Sequence, residues 1–114
     1  MNESTLQERV ILKLKSKGWN LLAREYYVFP KMQHLGKGDL LFRKDKYLFV
    51  VETKYIDLLS TGRTARSRRT QKRKHVRSQA RKYAEFLAPY AARRKLSLYY
   101  GWVTNEDSSY CRYK

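Results

Sequence analysis

The chain has 114 residues, with 26 Lys and Arg against 10 Asp and Glu, which gives a formal net charge of +16 at pH 7. This length supports one domain with a single modest core, and the charge predicts a polyanionic partner, foremost nucleic acid. The single cysteine, Cys111, excludes an internal disulfide and a cysteine zinc cluster. The lack of a signal peptide or a long apolar run predicts a soluble, intracellular protein that binds no membrane.

The first predicted element is an amphipathic helix over residues 5–17. Ser4 and Gln7 form a capping-box pattern, and Gly18 provides a stop. Apolar residues then recur at helical spacing: Leu6, Val10, Ile11 and Leu14. Glu8 lies near the edge of this stripe. It either reaches a metal site on the adjoining sheet or remains a solvated first-turn residue.

Three strands are predicted next. Residues 19–29 form the first and end before Pro30, and a loop over 31–37 leads into a hairpin over 38–55. A two-residue turn at 45–46 would pair positions whose numbers sum to 91, so that Asp39 faces Glu52. Because side chains alternate along a strand, Glu52 and Lys54 project from the same face.

Two neighbouring carboxylates repel each other unless a cation lies between them or one is protonated. Oxygen ligands favour Mg²⁺ or Mn²⁺, which also accept water and phosphate oxygens. With Lys54 beside the ion, Asp39 and Glu52 form a set that can hydrolyse a phosphodiester. The alternative is ordinary turn chemistry at Asp39 and a solvated strand face at Glu52 and Lys54.

A basic segment follows the hairpin, with no acidic residue between positions 58 and 84. Its first part, about 60–70, contains Gly62 and several Ser and Thr, which predicts a mobile loop that orders on phosphates. The alternatives are that this basic segment is simply a solvated surface without a ligand, or that it is a localisation signal. The nucleic-acid-binding residues predicted here are Arg63, Arg66, Arg68, Arg69, Lys72, Arg73, Lys74, Arg77 and Arg81.

Helical periodicity over 71–93 predicts a second helix, in which Gln79 and Tyr83 lie one turn apart. Gln79 either points to the end of the sheet or is a surface residue. The alternating residues 96–104 predict a last strand. Residues 105–114 form a polar tail with no predicted element. The whole chain is thus one domain, residues 1–114.

The order of elements, with Asp39, Glu52, Thr53 and Lys54, resembles the core of the PD-(D/E)XK nuclease superfamily. Gln79 and Tyr83 look like the Q-x-x-x-Y element of its RecB-like members. The short basic chain is also similar to small Holliday junction resolvases and VRR-NUC nucleases. The resemblance implies an α/β fold with a restriction-endonuclease-like core, a mixed central sheet flanked by helices in the order αβββαβ. Gly38 departs from the family pattern, since proline often stands there.

The resemblance further implies that Asp39, Glu52 and the Thr53 carbonyl bind Mg²⁺, that Lys54 handles the attacking water, and that Glu8 and Gln79 act near the site. The implied activity is that of a Mg²⁺-dependent endodeoxyribonuclease selective for branched DNA, serving recombination or repair. Resolvase-like proteins cut two strands with paired sites, so for so small a chain the resemblance also implies a homodimer. The alternative function is a non-catalytic nucleic-acid-binding module on the same fold.

Overall fold

The computed structural model describes residues 2–114. It is a mixed α/β fold with a five-stranded sheet and two long helices. The elements in chain order are α1 (Glu3–Ser16), β1 (Asn20–Tyr26), a short 3₁₀ helix (Gln33–Leu35), β2 (Gly38–Lys44), β3 (Tyr47–Lys54), α2 (Arg63–Arg93), β4 (Ser97–Thr104) and β5 (Ser108–Arg112).

The strands lie in the order β1-β2-β3-β4-β5. All neighbours are antiparallel except β3 and β4, which are parallel because α2 carries the chain back between them. Leu40 pairs with Val51 and Lys44 with Tyr47, so the predicted two-residue turn and its register are confirmed. The positive φ of Asp45, 52°, closes this turn.

The two helices cover opposite faces of the sheet. Leu48 and Val50 pack with Tyr83, Ala84 and Leu87 of α2 in one apolar cluster. Val51, one residue further on, instead packs with Val10 and Ile11 of α1 in a second cluster. Strand alternation therefore assigns Glu52 to the α2 face and Thr53 to the α1 face.

The prediction of a mobile loop over 60–70 is wrong from Arg63 onwards, because α2 begins there and continues for 31 residues. Arg, Lys, Gln and Ala are good helix formers, and neither glycine nor proline interrupts the chain between 63 and 88. Arg69 donates to the carbonyls of Ser60 and Asp57, at 2.8 and 3.4 Å. The composition of residues 60–70 suggested a loop, whereas helix propensity and the hydrogen bonds of Arg69 favour a helix from Arg63 onwards.

The tail contains a strand that was not predicted, so the order is αβββαββ. β5 pairs antiparallel with β4, from Tyr99 opposite Arg112 to Val103 opposite Ser108. All five β5 residues are exposed, and they therefore lack the apolar alternation that marks a half-buried strand. This strand forms because its backbone hydrogen-bonds to β4, and not because its side chains are buried.

The predicted helix cap is also wrong. Asn2, rather than Ser4, caps α1, and its Oδ1 accepts from the Thr5 amide at 2.9 Å. None of the helices within residues 2–114 has the length and apolar character that crossing a membrane requires.

Candidate active site

A cleft of about 160 Å³ opens where the end of β3 meets the start of β2 and the middle of α2. We call it the carboxylate cleft. Five predicted site residues line it together: Asp39, Glu52, Thr53, Lys54 and Gln79. Its remaining lining residues are Glu3, Lys37, His75 and Val76.

Asp39 and Glu52 hold each other through the backbone. The Asp39 amide donates to Glu52 Oε2 at 2.8 Å. In return, Asp39 Oδ2 accepts from the Thr53 amide at 2.8 Å and from the Thr53 hydroxyl at 3.0 Å. Asp39 Oδ1 and Glu52 Oε1 accept no hydrogen bond from residues 2–114 and are not among their buried polar atoms without a partner. One oxygen of each carboxylate is thus fixed and the other is available to a ligand.

The surroundings of both carboxylates oppose ionisation. Glu52 is only 4% exposed. Burial, and then the charge of Asp39, raises its pKa to about 9. Burial also raises the pKa of Asp39, although the hydrogen bonds from Thr53 and the charge of Lys54 act in the opposite direction. A cation in the cleft would relieve this cost.

Two tyrosines lie close to the carboxylates: Tyr26, which was not predicted there, and Tyr83, the second residue of the Q-x-x-x-Y element that the resemblance implied. Burial raises the pKa of both Tyr26 and Tyr83, and the charges of Glu52 and Asp39 raise it further. The Tyr26 hydroxyl is buried without a hydrogen-bond partner among residues 2–114. A Cβ at Gly38 would lie 2.6 Å from Tyr26 Cζ, so glycine is required for this close approach.

Gln7 links α1 to the cleft. It is 5% exposed, and its Nε2 donates to Thr53 Oγ1 at 3.2 Å. Its Oε1 accepts from Arg24 Nε at 3.0 Å. Since the Thr53 hydroxyl donates to Asp39, Gln7 positions the residue that holds the carboxylate. A polar residue inside the apolar stripe of α1 was the available signal, but the capping-box interpretation obscured it.

The structure does not bring Glu8 to the cleft. Glu8 is exposed and forms an ion pair with Arg24, beside β1. Glu3 lines the cleft instead, because it lies one helical turn before Gln7 on the same side of α1. The prediction that Glu8 contacts the metal site is therefore not supported by its position. Lys37 and His75 were also missed, and no pattern in the sequence distinguishes them.

The predicted phosphate-binding residues divide into those whose side chains have an intramolecular contact, among them Arg69, and those whose side chains have none. Arg73 pairs with Glu106, Arg81 with Glu85, and the Arg77 guanidinium lies 4.7 Å from the centroid of Trp102. The others, apart from Arg69, form no ion pair or side-chain hydrogen bond within residues 2–114: Arg63, Arg66, Arg68, Lys72 and Lys74. No residue of 63–75 is buried. We call this first part of α2 the basic arm, and it leads directly to His75 and Gln79 in the cleft.

The donor set suits an ion that needs few protein ligands. No group of three or more His, Cys, Asp or Glu arranged to hold a metal occurs within residues 2–114. Two carboxylates, each with an oxygen free of protein hydrogen bonds, nevertheless fit Mg²⁺ or Mn²⁺, since Mg²⁺ usually keeps several waters and binds one or two carboxylates. A zinc site with four nitrogen or sulfur ligands does not fit this chemistry.

No protein-family model matches the sequence, and a comparison with curated proteins also finds no match. We therefore infer the function from the carboxylate cleft and the basic arm.

Proposed function

We propose that the protein is a metal-dependent nuclease that hydrolyses DNA phosphodiester bonds, built on a restriction-endonuclease-like core. The supporting observation is the pair Asp39 and Glu52, locked together in a cleft that Lys54 and Gln79 also line. The acid-free basic arm adjoins this cleft, where a phosphate backbone would approach. Selectivity for branched DNA and a homodimeric assembly belong to the same proposal.

In the proposed mechanism, Asp39, Glu52 and the Thr53 carbonyl would hold Mg²⁺ or Mn²⁺. When bound, the ion supplies positive charge at the scissile phosphate and acidifies a water. Lys54 stabilises the hydroxide or the transition-state oxygens, because its side chain lines the same cleft. Gln79 positions the water or the phosphate by hydrogen bonding.

The basic arm supplies binding rather than chemistry. Five of its cations have no intramolecular partner among the described residues, so contact with phosphates breaks no ion pair. Each neutralised phosphate releases counterions, which makes binding strong at low salt and weak at high salt. Affinity and catalysis are therefore separable by mutation.

The direct test is incubation of the purified protein with branched, duplex and single-stranded DNA in Mg²⁺ or Mn²⁺. Asp39→Asn, Glu52→Gln and Lys54→Gln should each reduce cleavage by about 100-fold or more while leaving DNA affinity in EDTA nearly unchanged. Glu85→Gln and Lys31→Gln are matched controls at exposed positions outside the cleft. Absence of cleavage of every substrate by the wild type would refute the nuclease.

A non-catalytic nucleic-acid-binding module is the second candidate. The raised pKa of Glu52, about 9, favours it, because a protonated Glu52 makes the cleft stable without a metal. Calorimetry with Mn²⁺ at neutral pH separates the two. Binding that disappears in Asp39→Asn supports the nuclease, whereas no Asp39-dependent binding supports the module.

A further inference from the structure

A second concave surface lies on the α1 face of the sheet, opposite the carboxylate cleft. It has a volume of about 640 Å³ and runs between α1 and the exposed side of β3, β4 and β5. α1 contacts β1 and β3, and β4 and β5 extend beyond it. We call this surface the aromatic groove. Six aromatic residues line it: Trp19, Tyr47, Phe49, Tyr99, Trp102 and Tyr110. The ring of Trp102 also packs against the Arg77 guanidinium.

The rings pack in two groups, and the planes of each contacting pair are inclined by 54° to 66°. Trp19 and Phe49 lie 5.4 Å apart between centroids, and Phe49 and Tyr110 lie 6.1 Å apart. Tyr47 and Tyr99 make a further pair at 5.8 Å. Tyr110 is 71% exposed and Tyr47 is 43% exposed. Rings this accessible contribute little to the core, yet they offer large π surfaces to a ligand.

One edge of the groove is positively charged. Arg9, Lys13 and Lys17 line it and are spaced four residues apart, so they form one stripe along α1 and its C-terminal cap. No Asp or Glu among residues 2–114 lines the groove. The ligand that this combination recognises is anionic and carries flat rings.

We propose that the aromatic groove binds a single strand of nucleic acid, with bases stacked on Tyr47, Tyr110 and Trp19 and phosphates along Arg9, Lys13 and Lys17. Aromatic platforms beside a basic track are the general solution for unpaired strands, because every base has a π face. Paired bases in a duplex are already stacked and cannot use such a platform. The groove thus distinguishes unpaired from paired strands.

A second copy of the chain fits this surface poorly. Two copies that meet through the same groove would bring two stripes of Arg9, Lys13 and Lys17 together, and each copy already carries a charge of +16. A bound polyanion would remove this repulsion, whereas a second copy of the positively charged chain would increase it. The groove proposal does not require cleavage, so an experiment can refute it without refuting the proposed nuclease activity.

The test measures binding in EDTA to a labelled oligothymidylate of about 12 nucleotides, a length typical of such sites, and to a duplex of equal length. The double variant Tyr47→Ala/Tyr110→Ala should weaken binding of the single strand about tenfold or more and leave duplex binding unchanged. Both positions are exposed, which limits any effect on folding. Tyr27→Ala is the aromatic control, because Tyr27 is 38% exposed and does not line the groove.

Lys13→Ala and Lys15→Ala form a matched pair for the basic stripe. They lie on the same helix and remove the same charge, but Lys15 points roughly 200° further around α1. Only Lys13→Ala should weaken binding of the single strand. An oligouridylate of equal length determines whether DNA or RNA is preferred.

Trp19 provides a direct readout. The protein contains two tryptophans, and Trp102→Phe leaves Trp19 as the single reporter. Oligothymidylate should quench its fluorescence in this variant, and adding Lys13→Ala should reduce the quenching at the same subsaturating oligonucleotide concentration. The proposal is overturned if the tyrosine variant weakens duplex and single strand equally, if it weakens neither, or if sedimentation shows a wild-type dimer that the tyrosine variant dissociates.

Discussion

Glu52 lies at the end of β3 with 4% of its surface exposed, and its contribution to stability depends on pH. Burial, and then the charge of Asp39, raises the pKa of Glu52 from its ordinary value of 4.5 to about 9 in the folded protein. Below pH 4.5 Glu52 is protonated in both the folded and the unfolded state, so it does not lower the free energy of unfolding. Between these values the unfolded state releases its proton first, so rising pH favours unfolding by about 1.4 kcal/mol per pH unit. The raised pKa of Asp39 acts in the same direction.

Glu52→Gln should therefore stabilise the metal-free protein at high pH. Relative to wild type, its free energy of unfolding should gain roughly 2–4 kcal/mol between about pH 5 and pH 8. Urea denaturation in EDTA at several pH values measures this gain. Glu85→Gln is the exposed control and should follow the wild type. If Glu52→Gln and wild type show parallel pH profiles, Glu52 is not protonated in the folded protein.

Gln7 is the second residue with a specific expectation. Gln7→Leu keeps the volume but leaves Arg24 Nε without its amide acceptor and removes the donor to Thr53. Loss of buried partners should lower the free energy of unfolding by about 1–3 kcal/mol. Because Thr53 positions Asp39, cleavage should also fall, measured well below the melting temperature.

The control for this variant is Gln33→Leu, since Gln33 is exposed on the short 3₁₀ helix. It should change neither stability nor cleavage. A fully active Gln7→Leu with the expected loss of stability would show that Gln7 supports the fold and does not position Asp39.

Among the elements, α2 combines two roles. Its second half packs on β3 and β4 through Val76, Ala80, Tyr83 and Leu87. The basic arm contributes no buried residue, has no side-chain cap at Gly62 and has no acid in its first turn. Helix dipole and capping interactions therefore do not stabilise its start. The pair Arg73 and Glu106, with bonds of 2.9 and 3.0 Å, attaches the arm to the body.

The arm should determine the salt dependence of DNA binding. Arg66→Ala/Arg68→Ala should lower duplex affinity at low salt and reduce the slope of log K against log salt by about 0.9 for each phosphate that the arm no longer neutralises. Stability should stay the same, because both side chains are exposed and unpaired within residues 2–114. Fluorescence anisotropy at several salt concentrations measures the slope.

A charge-matched control separates the arm from net charge alone. Lys15→Ala/Lys31→Ala removes the same two charges from exposed positions outside the arm. It should leave the slope nearly unchanged. Equal effects of the two double variants would mean that the net charge, rather than the arm, attracts the DNA.

At the scale of the whole molecule, 26 cations face 10 acids, and three ion pairs occur within residues 2–114. Most of the positive charge is therefore uncompensated and opposes the compact state. Salt screens this repulsion, since the Debye length is about 10 Å at 0.1 M ionic strength.

The melting temperature of the free protein should consequently rise when sodium chloride is increased from low to moderate concentration. The same increase should weaken binding to DNA. Differential scanning fluorimetry and anisotropy in identical buffers test both statements. A melting temperature that falls with salt would show that the few ion pairs outweigh the general repulsion.

The hairpin register was predicted from the amino-acid sequence by taking Asp45 and Lys46 as a two-residue turn, which pairs the two apolar runs with their buried faces matched. This register predicted that Asp39, Glu52 and Lys54 lie together, and that prediction depends on strand periodicity, which a sequence records directly. Helical spacing left the position of Gln79 open, and only the family resemblance implied that Gln79 and Thr53 belong to the site. The start of α2 was hidden, because composition and helix propensity gave opposite signals for residues 63–70.

Packing in three dimensions was needed to establish which groups of the first helix reach the carboxylate cleft. The rotation of α1 on the sheet brings Glu3 and Gln7 inward and turns Glu8 towards Arg24, and contacts between distant elements determine that rotation. The strand β5 and the aromatic groove have the same origin. Backbone pairing with β4 forms β5 from exposed residues that carry no periodic signal, and the packing of α1 on the sheet leaves the groove beside it.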